Sequence, residues 1–433
     1  MGAERSDPRR VTRTTLENGL EVARQAPPVD AASFAATIVV PAGWAYDPAS
    51  AGGTALATSR LLTSGAGRWS RIDLDRLLDR WGATLVARCD PESAEVTAWG
   101  PARRWRELLE ILVTASFHPR LSGADLRRVQ RQIAERQMRE RSQPASRAAV
   151  ELGRTIFPVG HPYRLTGVGT ARSITDLTSA GVHRFHRDHF RLDGSLLAAT
   201  GTVGLDELGR EVRRRLRNVP NGAPPPDPPV PVGPDRRGGH RHVAMPGKTQ
   251  VEIRLGGSSI ARAVPEYEAA SLANEVLGGR PMISRLFQRL RDAEGLAYHA
   301  SSDLQAMRWG GLFVAGAGAG PERAAQAAAS LREEVERVAT TLTPSIELER
   351  TRRSAIGELP LALETTSGAH ELAVEIAYHH LPDDYLVRWP ETVRRLTAKD
   401  VLRGAEVAMR PDRLTLITVG PDEPAPAGTP GRR

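Results

Sequence analysis

The sequence predicts an α+β fold of two homologous domains, each a mostly antiparallel sheet packed with helices. Three observations carry that expectation. A chain of 433 residues exceeds what one hydrophobic core usually serves, so two domains of about 200 residues each are expected. Midway along it, residues 218–234 read NVPNGAPPPDPPVPVGP, where proline fixes φ, removes hydrogen-bond donors and prevents regular structure. The stretches on either side of that segment repeat the same order of elements.

Residues 33–62, SFAATIVVPAGWAYDPASAGGTALATSRLL, read as a strand, a glycine-containing turn and a helix with small residues on one face. Residues 250–279, QVEIRLGGSSIARAVPEYEAASLANEVLGG, repeat that order at similar spacing. Residues 82–100 read as a hairpin. Long helical patterns cover 126–141 and 321–340, the second opened by Pro321 with Glu322 in its first turn. Each half closes on a turn that feeds a strand, HFRLDGSLLAATGTV at 189–203 and AMRPDRLTLITVG at 408–420. Strands that open and close each half, with helices between them, predict helices on one face of each sheet. The boundaries follow: a domain over 1–217, a proline-rich linker over 218–235, a second domain over 236–422 and a disordered tail over 423–433. Duplication and fusion of one domain is the economical account.

Composition narrows the function classes. The net charge of +8 comes from arginine, since Lys248 and Lys399 are the only lysines. Runs such as Arg213 to Arg215 alternate with acids inside helical patterns and lack interleaved aromatics, so they read as solvated helix faces and not as a nucleic-acid surface. Cys89 is the only cysteine, which excludes an intramolecular disulfide and a multi-cysteine metal site and fits a reducing compartment. The first residues contain no apolar core of a signal peptide, and nowhere do 18 apolar residues run together. A cytoplasmic protein without a membrane partner is the expectation.

Four stretches look like those of a known family, in its order: TRTTLENGLEV (12–22), FPVGHPYRLTGVGT (157–170), VHRFHRDHF (182–190) and SRLFQRLRDAEGLAYHASS (284–302). On these residues the chain resembles the pitrilysin-like (insulinase, M16) metallopeptidases, in particular short bacterial members that pair into a clam-shaped chamber. The resemblance runs from about Val11 to Gly420. It implies an inverted zinc motif, His-x-x-Glu-His, on a helix of the first domain. Residues one and five of such a motif share a helix face and both reach one metal, while the adjacent Glu activates water. Aligning Gly53-Thr54-Ala55 with the family's Gly-x-Ala places Leu56, Ser59 and Arg60 on the three motif positions. None is a zinc ligand, and no His occurs before His118. The distal ligand position falls near residues 135–137, where Glu135 is one isolated acid on a charged helix. The resemblance therefore implies a degenerate motif with no metal in this chain.

Other arrangements fall short of a metal or cofactor site. His183, His186 and His189 are spaced by three, so the first and last diverge by about 120° around a helix. HELAVE at 370–375 begins like His-Glu-x-x-His but has Val374 in fifth position, and Glu375 comes one residue too late. His240 and His242 alternate as on a strand. The run GLFVAGAGAGPERA at 311–324 lacks the full G-x-G-x-x-G pattern and reads as a strand packing onto a helix.

In RLRDAEGLAY, Arg291 and Tyr298 match the arginine and tyrosine that family members use opposite the zinc. Their chemistry suits a developing oxyanion, which a fixed guanidinium and a phenol can stabilise. A chain with that pair and without the zinc motif resembles the second subunit of heterodimeric family members. The expected partner is a homologous M16 subunit with an intact His-x-x-Glu-His and its zinc, and the substrate a peptide or unfolded polypeptide, digested or processed. The alternatives are an inactive scaffold and a peptide-binding protein of the same fold.

Overall fold

The computed structural model describes residues 7–27, 32–219, 221–223, 226–231 and 238–421. The expected tail over 423–433 lies outside them, as does part of the linker; its described residues 221–223 and 226–231 form neither helix nor strand. None of the described helices is long and apolar enough to cross a membrane.

In the first unit, β1 (Val11–Thr15) and β2 (Glu21–Gln25) form a hairpin turned at Gly19. β3 (Ser33–Val40) leads to the helix Thr54–Leu62. A two-residue hairpin, β4 (Gly65–Ala66) and β5 (Trp69–Ser70), precedes β6 (Thr84–Cys89), β7 (Ala94–Pro101) and, much later, β8 (Leu196–Thr200). The sheet runs β1-β2-β8-β3-β7-β6, antiparallel throughout except for the pair β2/β8. The expected hairpin over 82–100 is β6–β7, closed by Asp90, whose Oδ1 accepts from the amides of Glu92 (2.7 Å) and Ser93 (2.6 Å).

The second unit holds β9 (His240–Ala244), β10 (Val251–Ser259), β11 (Ala297–Met307), β12 (Gly310–Ala319) and β13 (Thr415–Gly420). Its order, β9-β13-β10-β12-β11, repeats β2-β8-β3-β7-β6 strand for strand, including the single parallel pair. The repeat seen in the sequence is a repeat of topology. The expected helices appear at Gly123–Ser142 and Ala324–Thr340, the latter opened by a 3₁₀ turn at Pro321–Arg323.

The compact units are not the contiguous halves that the proline-rich segment suggests. The first takes in residues 357–389 and the second residues 138–165. The expectation of helices on one face of each sheet changes accordingly. Along β3, Phe34, Ala36, Ile38 and Val40 face the main core of the first unit, whereas Val39 faces the helix Thr366–Tyr378 with Ile376 and Ala377. Both faces of this central strand are covered, which is why it lacks polar alternation. In the second unit, the helix Pro144–Ile156 lays Ala148 and Leu152 on Ile417 and Val419. Gly256 permits the approach, because a Cβ there would lie 2.8 Å from Leu152 Cδ2.

Candidate functional site

The helix Thr54–Leu62 starts at Gly53, whose φ of 95° suits glycine. The carboxylate of Asp47 accepts from the amides of Gly53 (2.6 Å) and Ala55 (2.7 Å), satisfying donors that a helix start leaves open. Leu56 is buried in an apolar cluster with Leu126, Val129, Ile133 and Ile174. Ser59 is buried and its Oγ donates to the carbonyl of Arg88 at 2.8 Å. Arg60 is half-buried in the last turn, where a cation suits the helix dipole.

At the distal position the structure departs from the sequence reading. Glu135 lies on the exposed side of its helix. The inward residue is Gln137, whose Nε2 donates to the carbonyls of Val168 (2.7 Å) and Gly169 (3.2 Å). A hydrocarbon, a committed hydroxyl, a cation and an amide whose donor is already engaged do not make a zinc shell. No group of three His, Cys, Asp or Glu that could hold a metal occurs among the described residues.

Of the histidines in 182–190, His183 is exposed while His186 and His189 pack on aromatic rings. His186 donates from Nε2 to the carbonyl of Ser116 (2.8 Å) and stacks on Phe190, and burial lowers its pKa to about 4. His189 stacks on Phe185. His370 turns into the protein, its Nε2 2.7 Å from Thr37 Oγ1 and its Nδ1 3.2 Å from Thr200 Oγ1, while Glu371 is exposed. His240 and His242 flank Thr418 Oγ1 at 3.1 and 3.0 Å.

Arg291 and Tyr298 do come together. The segment Phe287–Ala293 winds as a π-helix, with the Glu294 amide donating five residues back to the Arg289 carbonyl at 2.9 Å; such turns recur at functional sites. Arg289 anchors this winding through Glu294 (2.7 Å), Glu333 (2.5 Å) and the fully buried Glu334 (3.0 Å). Gly295, at φ 60°, then turns the chain into β11. Ala297 pairs with Ala319 and His299 with Gly318, so Tyr298 is the extra residue of a β-bulge. Bulges re-aim side chains, and Tyr298 stands 77% exposed.

The guanidinium of Arg291 lies over the rings of Phe287 (4.6 Å to the centroid) and Tyr298 (5.4 Å). Neither Arg291 nor Tyr298 forms a hydrogen bond or ion pair among the described residues, whereas nearby arginines such as Arg254, Arg285 and Arg289 are matched with carboxylates. They line a shallow hollow of ≈ 370 Å³ with Gln250, Gly318 and Gly320. A guanidinium and a phenol held side by side, both with unspent donors, can bind an oxyanion or a peptide carbonyl.

Residues 176–355 match the family model described as Peptidase M16 inactive domain. A protein of Mycobacterium bovis described as an uncharacterized zinc protease is 26% identical over 359 residues, which are 82% of this chain and 81% of that protein. The chain is similar to the M16 peptidases. A second uncharacterized zinc protease, from Streptomyces coelicolor, is 30% identical over 207 residues, 46% of this chain and 44% of that relative's own length. The fold agrees: a solved peptidase M16 inactive domain from Pseudomonas fluorescens superposes with a TM-score of 0.89 at 21% identity, covering 98% of this chain and 100% of that one.

Sequence reasoning missed His299 and Glu252, which flank Gly318 at the Arg291/Tyr298 hollow. Within 135–137 it singled out Glu135 and not Gln137, although the spacing of Val129, Ile133 and Gln137 by four puts all three on one helix face, and all three are buried.

Proposed function

We propose that this chain is the non-zinc-binding subunit of a heterodimeric M16-type peptidase that hydrolyses peptides in the cytoplasm. The observation that carries the reading is the pairing, in one chain, of an uncommitted Arg291 and Tyr298 with a motif helix whose Leu56, Ser59 and Arg60 offer no metal ligand. Such a chain can bind a charged oxygen and cannot generate a nucleophile, so it works with a homologue that carries His-x-x-Glu-His. The two His of that motif would hold a zinc ion in the homologue, where it would supply an activated water. Arg291 and Tyr298 then donate to the substrate carbonyl oxygen as it gains negative charge, a stabilisation stronger in the transition state than in the bound substrate. β11 is an edge strand among the described residues, which suits main-chain recognition of an extended peptide.

The test is peptidase activity on an unstructured peptide of this chain alone, a zinc-bearing homologue from the same source alone, and the two mixed. Activity that requires the mixture supports the reading. A mixture no faster than the homologue alone overturns it in favour of a scaffold or a peptide-binding protein.

A further inference from the structure

In GLFVAGAGAGPERA, Gly316 and Gly318 alternate with alanines on β12, and Gly320 follows its last residue. Ala315, Ala317 and Ala319 are buried on one face, so Gly316, Gly318 and Gly320 share the other. That face is not bare, because a charged or polar side chain occupies the space of each missing Cβ. A Cβ on Gly316 would lie 3.0 Å from Arg254 Cδ, one on Gly318 2.5 Å from His299 Cε1, and one on Gly320 2.5 Å from Glu322 Oε1. The glycines make room for side chains to lie across the sheet beside Arg291 and Tyr298.

Glu252 organises this layer. Glu252, Gly318 and His299 form one row across β10, β12 and β11. Glu252 is buried, 6% exposed as a residue. One oxygen is 2.7 Å from the Arg254 guanidinium and the other 3.6 Å from His299 Nε2. Burying that carboxylate so completely is costly without opposite charge nearby; Arg254 supplies it at ion-pair distance, and the imidazole stands close to the other oxygen, although Oε1 makes no hydrogen bond. The His299 ring is thus held between the Gly318 backbone and a fixed carboxylate. Its side chain nevertheless stays half exposed, immediately after Tyr298 on the bulge.

We propose that His299 is a third substrate-contacting residue of the Arg291/Tyr298 site, that Glu252 and Gly318 position it, and that it hydrogen-bonds the main chain of the bound peptide. This inference rests on the peptidase reading above. It assigns His299 a binding role, whereas Arg291 and Tyr298 meet the carbonyl that reacts. The alternating glycines are then a specificity feature of the site, since an alanine at Gly318 would displace the ring.

The experiment uses the assembled pair of this chain with its zinc-bearing homologue and a fluorogenic unstructured peptide. His299→Ala raises KM about fivefold, the worth of one lost hydrogen bond, with kcat little changed. Gly318→Ala forces the imidazole aside and produces the same KM effect; the imidazole resonance of His299 shifts in its NMR spectrum. The double variant is no worse than either single one, because both remove the same contact. His299→Gln, which retains an N–H donor, restores part of the loss. An unchanged KM in His299→Ala, while Arg291→Ala still lowers turnover, overturns this inference and leaves the peptidase reading standing. Additive effects of His299→Ala and Gly318→Ala also overturn it, since Gly318 would then act through the fold. If Arg291→Ala too has no effect, the peptidase reading falls and this inference with it.

Discussion

His370 joins the helix Thr366–Tyr378 to the sheet of the first unit, and its chemistry sets a pH limit on that docking. The ring is buried between Thr37 and Thr200, and Thr37 Oγ1 is in turn 2.8 Å from Thr97 Oγ1. Desolvation lowers the imidazole pKa from 6.5 to about 4. Below pH 6.5 the unfolded chain takes up a proton that the folded chain refuses, so stability is lost as pH falls from 6.5 towards 4. Between pH 7.5 and pH 4.5 this one group costs about 2.5 kcal/mol.

The substitution His370→Gln removes that linkage while keeping a polar side chain among the threonines. At pH 7.5 the variant is less stable than the wild type by about 1–2 kcal/mol, from imperfect hydrogen bonding. As pH falls to 4.5 the gap closes and then reverses. His186, also lowered to about 4, and Glu95, raised by burial to about 7, contribute slopes of their own, so the comparison of variant with wild type is the quantity that matters. Amide hydrogen exchange of β3 and of the helix Thr366–Tyr378 reads the first unit separately from the second. Parallel pH profiles for the two proteins would refute the argument, because they would mean that His370 titrates alike folded and unfolded.

Three further outcomes are expected. Arg291→Ala lowers turnover of the assembled pair by about 10² or more and Tyr298→Phe by about tenfold, with complex formation by size-exclusion chromatography unchanged; normal turnover would remove the pair from the mechanism. Glu334→Ala removes the buried carboxylate that Arg289 and Arg337 share, while Arg289 keeps Glu294 and Glu333, and destabilises the second unit by about 1 kcal/mol, seen as faster exchange in the helix Ala324–Thr340. Burial, with Asp90 and Asp47 nearby, pushes the Cys89 thiol pKa well up, so a disulfide reagent modifies it slowly in the native protein and rapidly in urea; equal rates would show that the thiol is open.

Much of the site was legible in the sequence because its chemistry depends on residue identity. Leu56 and Arg60 cannot ligate zinc in any conformation, and Arg291 and Tyr298 carry their donors wherever they sit. The strands were legible for a related reason: side chains of period two, the turn inside the 82–100 hairpin and a proline-rich interruption all act within a few residues. The repeat of the two halves followed from those local patterns and reappears as the same strand order in both sheets.

What the sequence left open depends on partners distant along the chain. The helices Pro144–Ile156 and Thr366–Tyr378 each complete the unit opposite to the half in which they are encoded. Amphipathic periodicity states that a helix has an apolar face and not which sheet will cover it. The same limit hid the bulge that exposes Tyr298, since the extra residue exists only relative to the register of β12. It also hid the reason for the alternating glycines. Gly318 looks like strand-to-helix packing until His299 and Glu252, 19 and 66 positions away, fold across it, because only the paired strands bring those side chains into one row.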